Sequence, residues 1–491
     1  MSRLIVYDDT LPVSEAVRSL TGLEHYADLI HRKQRLAERV AQLAANTRGA
    51  LFTHMRNRAD LRALRERLRQ EEQIDRVLYW PASLFPSDLD EAGVMLNKLR
   101  YADQFYLFGP DPGGACSLAD MDVALFQTFC ARGLADGDPA FLADRRGVIF
   151  TPLENIGQFL DLSDLTACTQ LLTRNFDVRF FNGITHNEYE VVKSSSDRDK
   201  MRREHDYYGL LPPQMQPFFV QPYDFQEQGE RASYRMERLL IPDLAIQWIH
   251  QALAPSDLEP LLARVFRFID LRARKSVPPA QWQAEVEEKY VAKLDERIAA
   301  FKRLPLFERV EALLVNATDY TGLDAIVARY HQLYAQLSAR RKPGDLVIGH
   351  GDLCFSNMLY DKHTQLLRLI DPRGATSEAD LYADPYYDVA KLSHSVLGRY
   401  DFINQGLFDL RLESGLTLSL TLPIEPDAQV AELFEAYLTR SGFDLTVTRL
   451  YEASLFLSMI PLHADVAEKP LGFILNAAAI LDWVEQRAAA R

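Results

Sequence analysis

Three oxygen-bearing side chains stand close enough in the chain to act together on a phosphate: Asp352, Asn357 five residues on, and Asp371 fourteen residues after that. They lie in the stretch from Leu346 to Gly374, LVIGHGDLCFSNMLYDKHTQLLRLIDPRG. Phosphoryl transfer from a nucleoside triphosphate needs a carboxylate beside the accepting hydroxyl, and two oxygen ligands to hold magnesium against the phosphates. Asp352 suits the first task; Asn357 and Asp371 suit the second. Two short apolar runs, Leu346–Ile348 and Leu366–Ile370, end on these polar residues and read as strands. A hairpin-like return between the two runs would gather the three side chains. The bland alternative is a turn at His350-Gly351-Asp352 and a strand-end cap at Asp371.

The pattern HGDxxxxN, followed by two hydrophobic residues and Asp, resembles the catalytic segment of the aminoglycoside phosphotransferase and choline kinase family. These enzymes are relatives of the protein kinases, whose equivalents are the HRDxxxxN loop and the DFG aspartate. The resemblance covers about residues 176–480 and implies an α+β chain. Its parts are an α/β N-terminal domain over 1–160, a small β-rich kinase-like N-lobe over 176–240 and a helical C-lobe over 241–491. It also implies ATP and Mg2+ as cofactors, with Asn357 and Asp371 as metal ligands. Asp352, His350 and Arg373 form the implied catalytic set, Arg373 being placed to meet an anionic substrate or the transferring group.

The elements that must position these groups follow in a suitable order. Phe180–Lys193, FFNGITHNEYEVVK, reads as two strands around an Asn-Gly turn. A strand ending in VVK is where the phosphate-binding Lys of a kinase sits, which makes Lys193 the candidate. The following SSSD opens a helix carrying Glu204, eleven residues past Lys193, as its partner. A solvated Lys and a surface Glu are the alternative. Pro217–Gln221 reads as a strand, Gly229 as a turn, and Ala232–Leu239 as the next strand. Its end, with Met236, Glu237 and Leu239, stands where a hinge would bind adenine through backbone groups.

Residues 241–342 read as mostly helical, with breaks at Pro255, Pro278-Pro279, Pro305 and Gly322, and with Ile326–Leu337 as the helix leading to His350. Beyond Asp371, Asp384 is expected to cap a helix ahead of Pro385. Asp388, one turn on, is expected to support His350 or Arg373. Leu416–Leu422 alternates as a strand.

The first 160 residues carry no such signature. Residues 1–10 read as a buried strand ending in a polar turn. That start is similar to the nucleophile strand of haloacid-dehalogenase-type phosphatases, but Asp8 and Asp9 are adjacent, and neighbours on a strand point to opposite faces. Residues 14–75 read as helical, with segments Leu36–Ala45 and Leu61–Gln73, and their arginines interleave with acids as on a solvated face. Strands at Val77–Trp80, Gln104–Phe108 and Gly147–Phe150 then alternate with helices near Asp90–Leu99 and Ala119–Arg132. Such alternation suggests a three-layer unit with a largely parallel sheet. The Gly109–Gly114 loop has neither phosphate-binding glycine motif and reads as a turn. Residues 151–175 join the two parts, with a short helix around Asp164–Arg174.

A net charge of −14 argues against a nucleic-acid or anionic-membrane partner. Four widely spaced cysteines suit reduced thiols in cytosol, and neither a leader nor an apolar run of spanning length is visible, so a cytoplasmic location is expected. The implied activity is transfer of a phosphoryl group to a hydroxyl of a small molecule: a sugar, polyol or amino alcohol. FNxITHxxxxVxKSSSD and the late SMIPLHAD stretch are similar to phosphotransferases of capsule and exopolysaccharide clusters. Two departures stand out: one glycine in the NGITHN loop, and DPRG in place of DFG. A kinase-fold scaffold without turnover, or a bifunctional enzyme whose first domain acts on a nucleotide-sugar or phosphosugar, are the other readings. The acceptor, the donor nucleotide and the oligomeric state, a homo-oligomer included, stay open.

Overall fold

The computed structural model describes residues 2–31, 34–70, 73–110, 117–136, 148–152, 158–173, 184–186, 189–239, 241–338, 340–413, 417–423 and 427–490. It is an α+β chain, 52% helical and 20% strand, in two compact units, Met1–Phe176 and Asp177–Arg491.

In the first unit, strand Ser2–Asp8 holds Leu4, Ile5, Val6 and Tyr7 fully buried, as expected of a strand covered on both faces. The sheet runs in the order Ala50–Met55, Ser2–Asp8, Ile74–Pro81, Leu118–Asp122, Tyr106–Phe108, Thr151–Pro152. Its first three strands are mutually parallel, but Leu118–Asp122 is antiparallel to both its neighbours, so the sheet is mixed rather than largely parallel. Three expectations need correction. Ala50–Met55 is a strand inside the stretch read as helical. Leu118–Asp122 is a strand where a helix start was expected, and the helix runs Val123–Asp136. The last strand falls at Thr151–Pro152 rather than at 147–150. Short strands take their identity from sheet neighbours more than from their own residues, which is why local pattern misplaced them. Most of the Gly109–Gly114 loop lies outside the described residues.

Asp8 and Asp9 take different partners. Asp8 accepts from the Tyr79 hydroxyl at 2.7 Å and from Thr10, whereas Asp9 faces His25 at 3.4 Å and His54 at 3.5 Å. On helix Arg58–Gln70, Leu61, Leu64 and Leu68 are buried while Arg62 and Arg69 are exposed, an amphipathic arrangement.

The second unit opens with an antiparallel sheet ordered Ile184–His186, Glu190–Ser195, Arg231–Glu237, Pro222–Gln228. The Asn182-Gly183 turn lies outside the described residues. Pro217–Gln221 does not form the expected strand: Gln216–Phe218 is a 3-10 turn, and the strand begins at Pro222. Pro217 has no N–H for a ladder and a fixed φ that suits the turn. Helix Arg198–Leu210 is capped by Asp197, which accepts from the Lys200 N–H at 3.0 Å. Helices then dominate from Leu244 to Ser338. Near the chain's end, helix Leu445–Met459 is buried at every position but Arg449, the all-round burial of a central core helix. A hairpin of Asp409–Leu412 with Leu418–Thr421 stands where one strand was expected, residue 416 lying outside the described residues. No helix among the described residues is long and apolar enough to cross a membrane.

Asp401, in the short helix Tyr400–Asn404, is 2% exposed. Burial pushes its carboxyl up to about 7, and a hydrogen bond with Ser395 offsets this only in part. Ser395 in turn accepts from the Phe355 N–H at 3.1 Å, just beyond Asp352. Between about pH 4 and the raised value the folded chain keeps a proton that the unfolded chain has lost. Its contribution is therefore complete at low pH and falls by about 1.4 kcal/mol per unit as pH rises through that window. Asp401→Asn is expected to remove this loss and to gain about 2–4 kcal/mol over the parent at pH ~8, with little gain at pH ~4. Urea unfolding of both proteins across that range measures it; parallel pH profiles would contradict the assignment.

Candidate active site

Strand Leu346–Ile348 pairs with Arg274–Lys275 and Tyr382–Ala383, not with the run after it. The hairpin that brings the polar residues together is instead Met358–Asp361 with Leu366–Leu369. Asn357 therefore sits at the start of one arm and Asp371 just past the end of the other. The Asn357 Nδ2 donates to the Asp352 carbonyl at 2.8 Å, which closes the loop between them. Its Oδ1 makes no hydrogen bond among the described residues.

Lys193 lies at the centre of a buried polar cluster. Its Nζ is 2.7 Å from Glu204 Oε2 and 2.8 Å from Asp371 Oδ1. The Tyr234 hydroxyl donates to the same Glu204 oxygen at 2.8 Å. Burial works against the Lys193 charge, but Asp371 and Glu204 outweigh it and hold the ammonium above its ordinary value. Strand, helix and post-hairpin loop thus meet at one nitrogen. Asp371 adopts φ +55°, a left-handed conformation costly for a residue with a side chain and a mark of functional sites.

His350 is fully buried under the Phe219 ring, stacked at 5.8 Å. Its Nε2 donates to the Ile370 carbonyl at 2.9 Å, and its Nδ1 accepts the Asp352 N–H at 3.2 Å. Burial lowers its pKa despite the nearby carboxylates, in keeping with a neutral ring. Its contacts are with backbone on both sides of the loop. Asp388 supports backbone as well: it accepts the His350 and Gly351 N–H groups at 2.9 and 2.8 Å and pairs with Arg272 at 3.1 Å. Asp388 thus supports His350 through its backbone N–H, and no hydrogen bond or ion pair joins it to the Arg373 side chain among the described residues. Asp384 occupies the cap position before Pro385 but makes no side-chain cap; its carboxylate binds Arg341 at 2.6 Å.

The Asp352 carboxylate, partly exposed, pairs with Lys391 at 2.9 Å. Burial raises its pKa, but Lys391 above all, with Arg373, outweighs that and holds it below the usual carboxylate range. Met236 is buried in strand Arg231–Glu237 of the small sheet and borders one narrow cleft with Glu204, Tyr234 and Asp371. Glu237 is exposed and Leu239 half-buried at the strand's end. Lys391, Arg272, Tyr387 and Lys293 were not singled out from sequence. Lys391 had one signal, lying three residues past Asp388 on the helix already read there.

Gly374 closes the arrangement. Its φ is +75°, and a Cβ there would stand 2.4 Å from the Arg203 backbone, one residue before Glu204. The Ala375 N–H bonds the Arg203 carbonyl at 3.1 Å. Gly374→Ala combines strain with overpacking and is expected to cost about 1–3 kcal/mol in chemical unfolding. A stability equal to the parent's would show that the loop can leave the helix at no cost.

The model of the phosphotransferase enzyme family matches residues 171–450. Among solved structures, a thermostable mutant of aminoglycoside phosphotransferase APH(4)-Ia, in ternary complex with AMP-PNP and hygromycin B, shares 14% identity over 64% of this chain and 97% of its own, with a TM-score of 0.38. An aminoglycoside-3'-phosphotransferase of type VIII shares 16% over 60% of this chain and 84% of its own, with a TM-score of 0.28. No curated protein sequence matches the chain. Because the family model spans more than half of its length, the chain belongs to the phosphotransferase enzyme family.

Proposed function

We propose that the second unit transfers the γ-phosphoryl group of ATP, with Mg2+, to a hydroxyl of a small molecule, and that a sugar or polyol of surface-polysaccharide synthesis is the acceptor. In this reading residues 176–240 form the small lobe and 241–491 the helical lobe. The observation that carries it is Lys193 held between Glu204 and Asp371 at 2.7 and 2.8 Å. A buried ammonium so fixed is suited to neutralise nucleotide phosphates. Met236, Glu237 and Leu239 would bind adenine through backbone atoms.

The donor set fits magnesium. Asp371 and the uncommitted Oδ1 of Asn357 are hard oxygen ligands, and this ion takes one or two protein groups beside phosphate and water. It would supply charge neutralisation at the phosphates. Asp352, ionised through its Lys391 pairing, would orient the acceptor hydroxyl and take its proton. His350, neutral and buried, would hold the loop by its two backbone bonds. Arg373 would meet the transferring group or an anionic substrate.

Asp352→Asn is expected to lower turnover by about 10²–10⁴-fold while ATP binding stays within about two-fold of the parent. Magnesium-dependent ATP binding and phosphoryl transfer to sugars, polyols and amino alcohols measure the two effects. Undiminished turnover would remove Asp352 from the chemistry. Folded protein that binds no nucleotide would favour a scaffold instead.

A further inference from the structure

A cleft of about 320 Å³ opens beside the catalytic loop, with Gly351, Arg373, Tyr387 and Lys289 among its walls. Three of its four carboxylates are ion-paired, and the fourth keeps its charge at the exposed rim. Asp384 binds Arg341 at 2.6 Å, Asp388 binds Arg272 at 3.1 Å, and Glu285 binds Lys289 at 3.4 Å. Asp380, on the exposed rim, accepts from its own turn's Ser377 at 2.6 Å.

Two cations gathered on Tyr387, a wall residue of this cleft, have no carboxylate within ion-pair distance among the described residues. Lys293 donates to the Tyr387 hydroxyl at 2.9 Å. Arg373 lies 5.7 Å from the centre of the same ring, with its stem seated on Gly351. A Cβ at Gly351 would be 2.7 Å from that stem, so the loop is shaped to let Arg373 pass. Lys289 and Lys293 also approach the ring, at 5.7 and 5.3 Å. Burial would push the Tyr387 phenol up, but Lys391, Lys293 and Arg373 together hold it below its ordinary value. Burial, with Arg373 and Lys391 opposing the charge, lowers the Lys293 ammonium. Positive charge gathered at this density is unfavourable until an anion joins it.

We infer that the acceptor carries an oxyanion, a phosphate or a carboxylate, which docks on Arg373 and on the Lys293–Tyr387 hydroxyl pair while its hydroxyl faces Asp352. The place of that hydroxyl rests on the phosphotransferase reading; the anion site does not. An ammonium group in the oxyanion's place would set like charge against Lys293 and Arg373, so an amino alcohol fits this wall poorly.

Calorimetric titration of the full chain with glucose 6-phosphate, glucuronate, glucose and glucosamine tests the site without requiring turnover. The phosphate, the carboxylate or both are expected to bind at least about ten-fold more tightly than glucose, with glucosamine weakest. Lys293→Met is expected to remove that preference and Lys293→Arg to keep most of it. The phosphate and carboxylate arms identify which oxyanion the wall prefers. Both anionic sugars binding no better than glucose, or a preference unchanged in Lys293→Met, would overturn the inference. Nucleotide binding, assayed on the same samples, reports separately on the phosphotransferase reading, so either idea can fail alone.

Discussion

The second unit depends on a single buried nitrogen shared by three segments of chain. Lys193 reaches Glu204 and Asp371 at hydrogen-bond distance, and the charge it carries is affordable only while both carboxylates stay in place. That requirement reaches into the backbone. Glu204 is presented by a helix whose Arg203 peptide lies against Gly374, and Gly374 follows Asp371 by three residues. A shift of the helix would move Glu204 and the post-hairpin loop together. The ion cluster and the close backbone approach are therefore one constraint seen at two places.

Charge is distributed unevenly around this constraint. Lys193 faces two carboxylates, and the only further cation paired with either among the described residues is the exposed Lys200, 3.8 Å from Glu204, so Asp371 has no second positive partner. The Tyr387 side has the opposite imbalance, with Lys293 and Arg373 in no ion pair among the described residues. Asp352 lies at the boundary and is kept ionised by Lys391. A cation would relieve the first side and an anion the second. Two ligands of opposite local demand, meeting at a carboxylate, make a suitable arrangement for group transfer, where catalysis is mainly positioning and electrostatics.

Sequence spacing made much of this arrangement legible. The loop from His350 to Asn357, the aspartate after the second apolar run and the Lys193–Glu204 pair are separated by short intervals that backbone geometry fixes within narrow limits. Strand partners were less accessible. Leu346–Ile348 is apolar enough for a strand, but nothing local says that it pairs with Tyr382–Ala383 rather than with Leu366–Leu369. Ala50–Met55, lying between two helices, gave the same difficulty, because its parallel partner is residues 3–8. The cations around Tyr387 were hidden for a related reason: Lys293 and Arg373 are 80 residues apart. Only the packing of a helix against the post-hairpin loop brings them to one ring.

His350 shows how a residue that is expected in chemistry can serve it through backbone alone. One ring nitrogen must donate to Ile370 and the other must accept from Asp352. Only the neutral ring with its proton on Nε2 does both; the protonated ring would turn a donor toward the Asp352 N–H. Burial under Phe219 disfavours the charged form, so the surroundings choose the species that the hydrogen bonds need. The two contacts then fix the spacing between the peptide of Asp352 and the carbonyl just before Asp371. Asp388, with its two backbone bonds and Arg272 behind it, holds the other side of the same loop. The carboxylates of Asp352 and Asp371 take no part in holding the loop; each meets a lysine instead, Lys391 and Lys193.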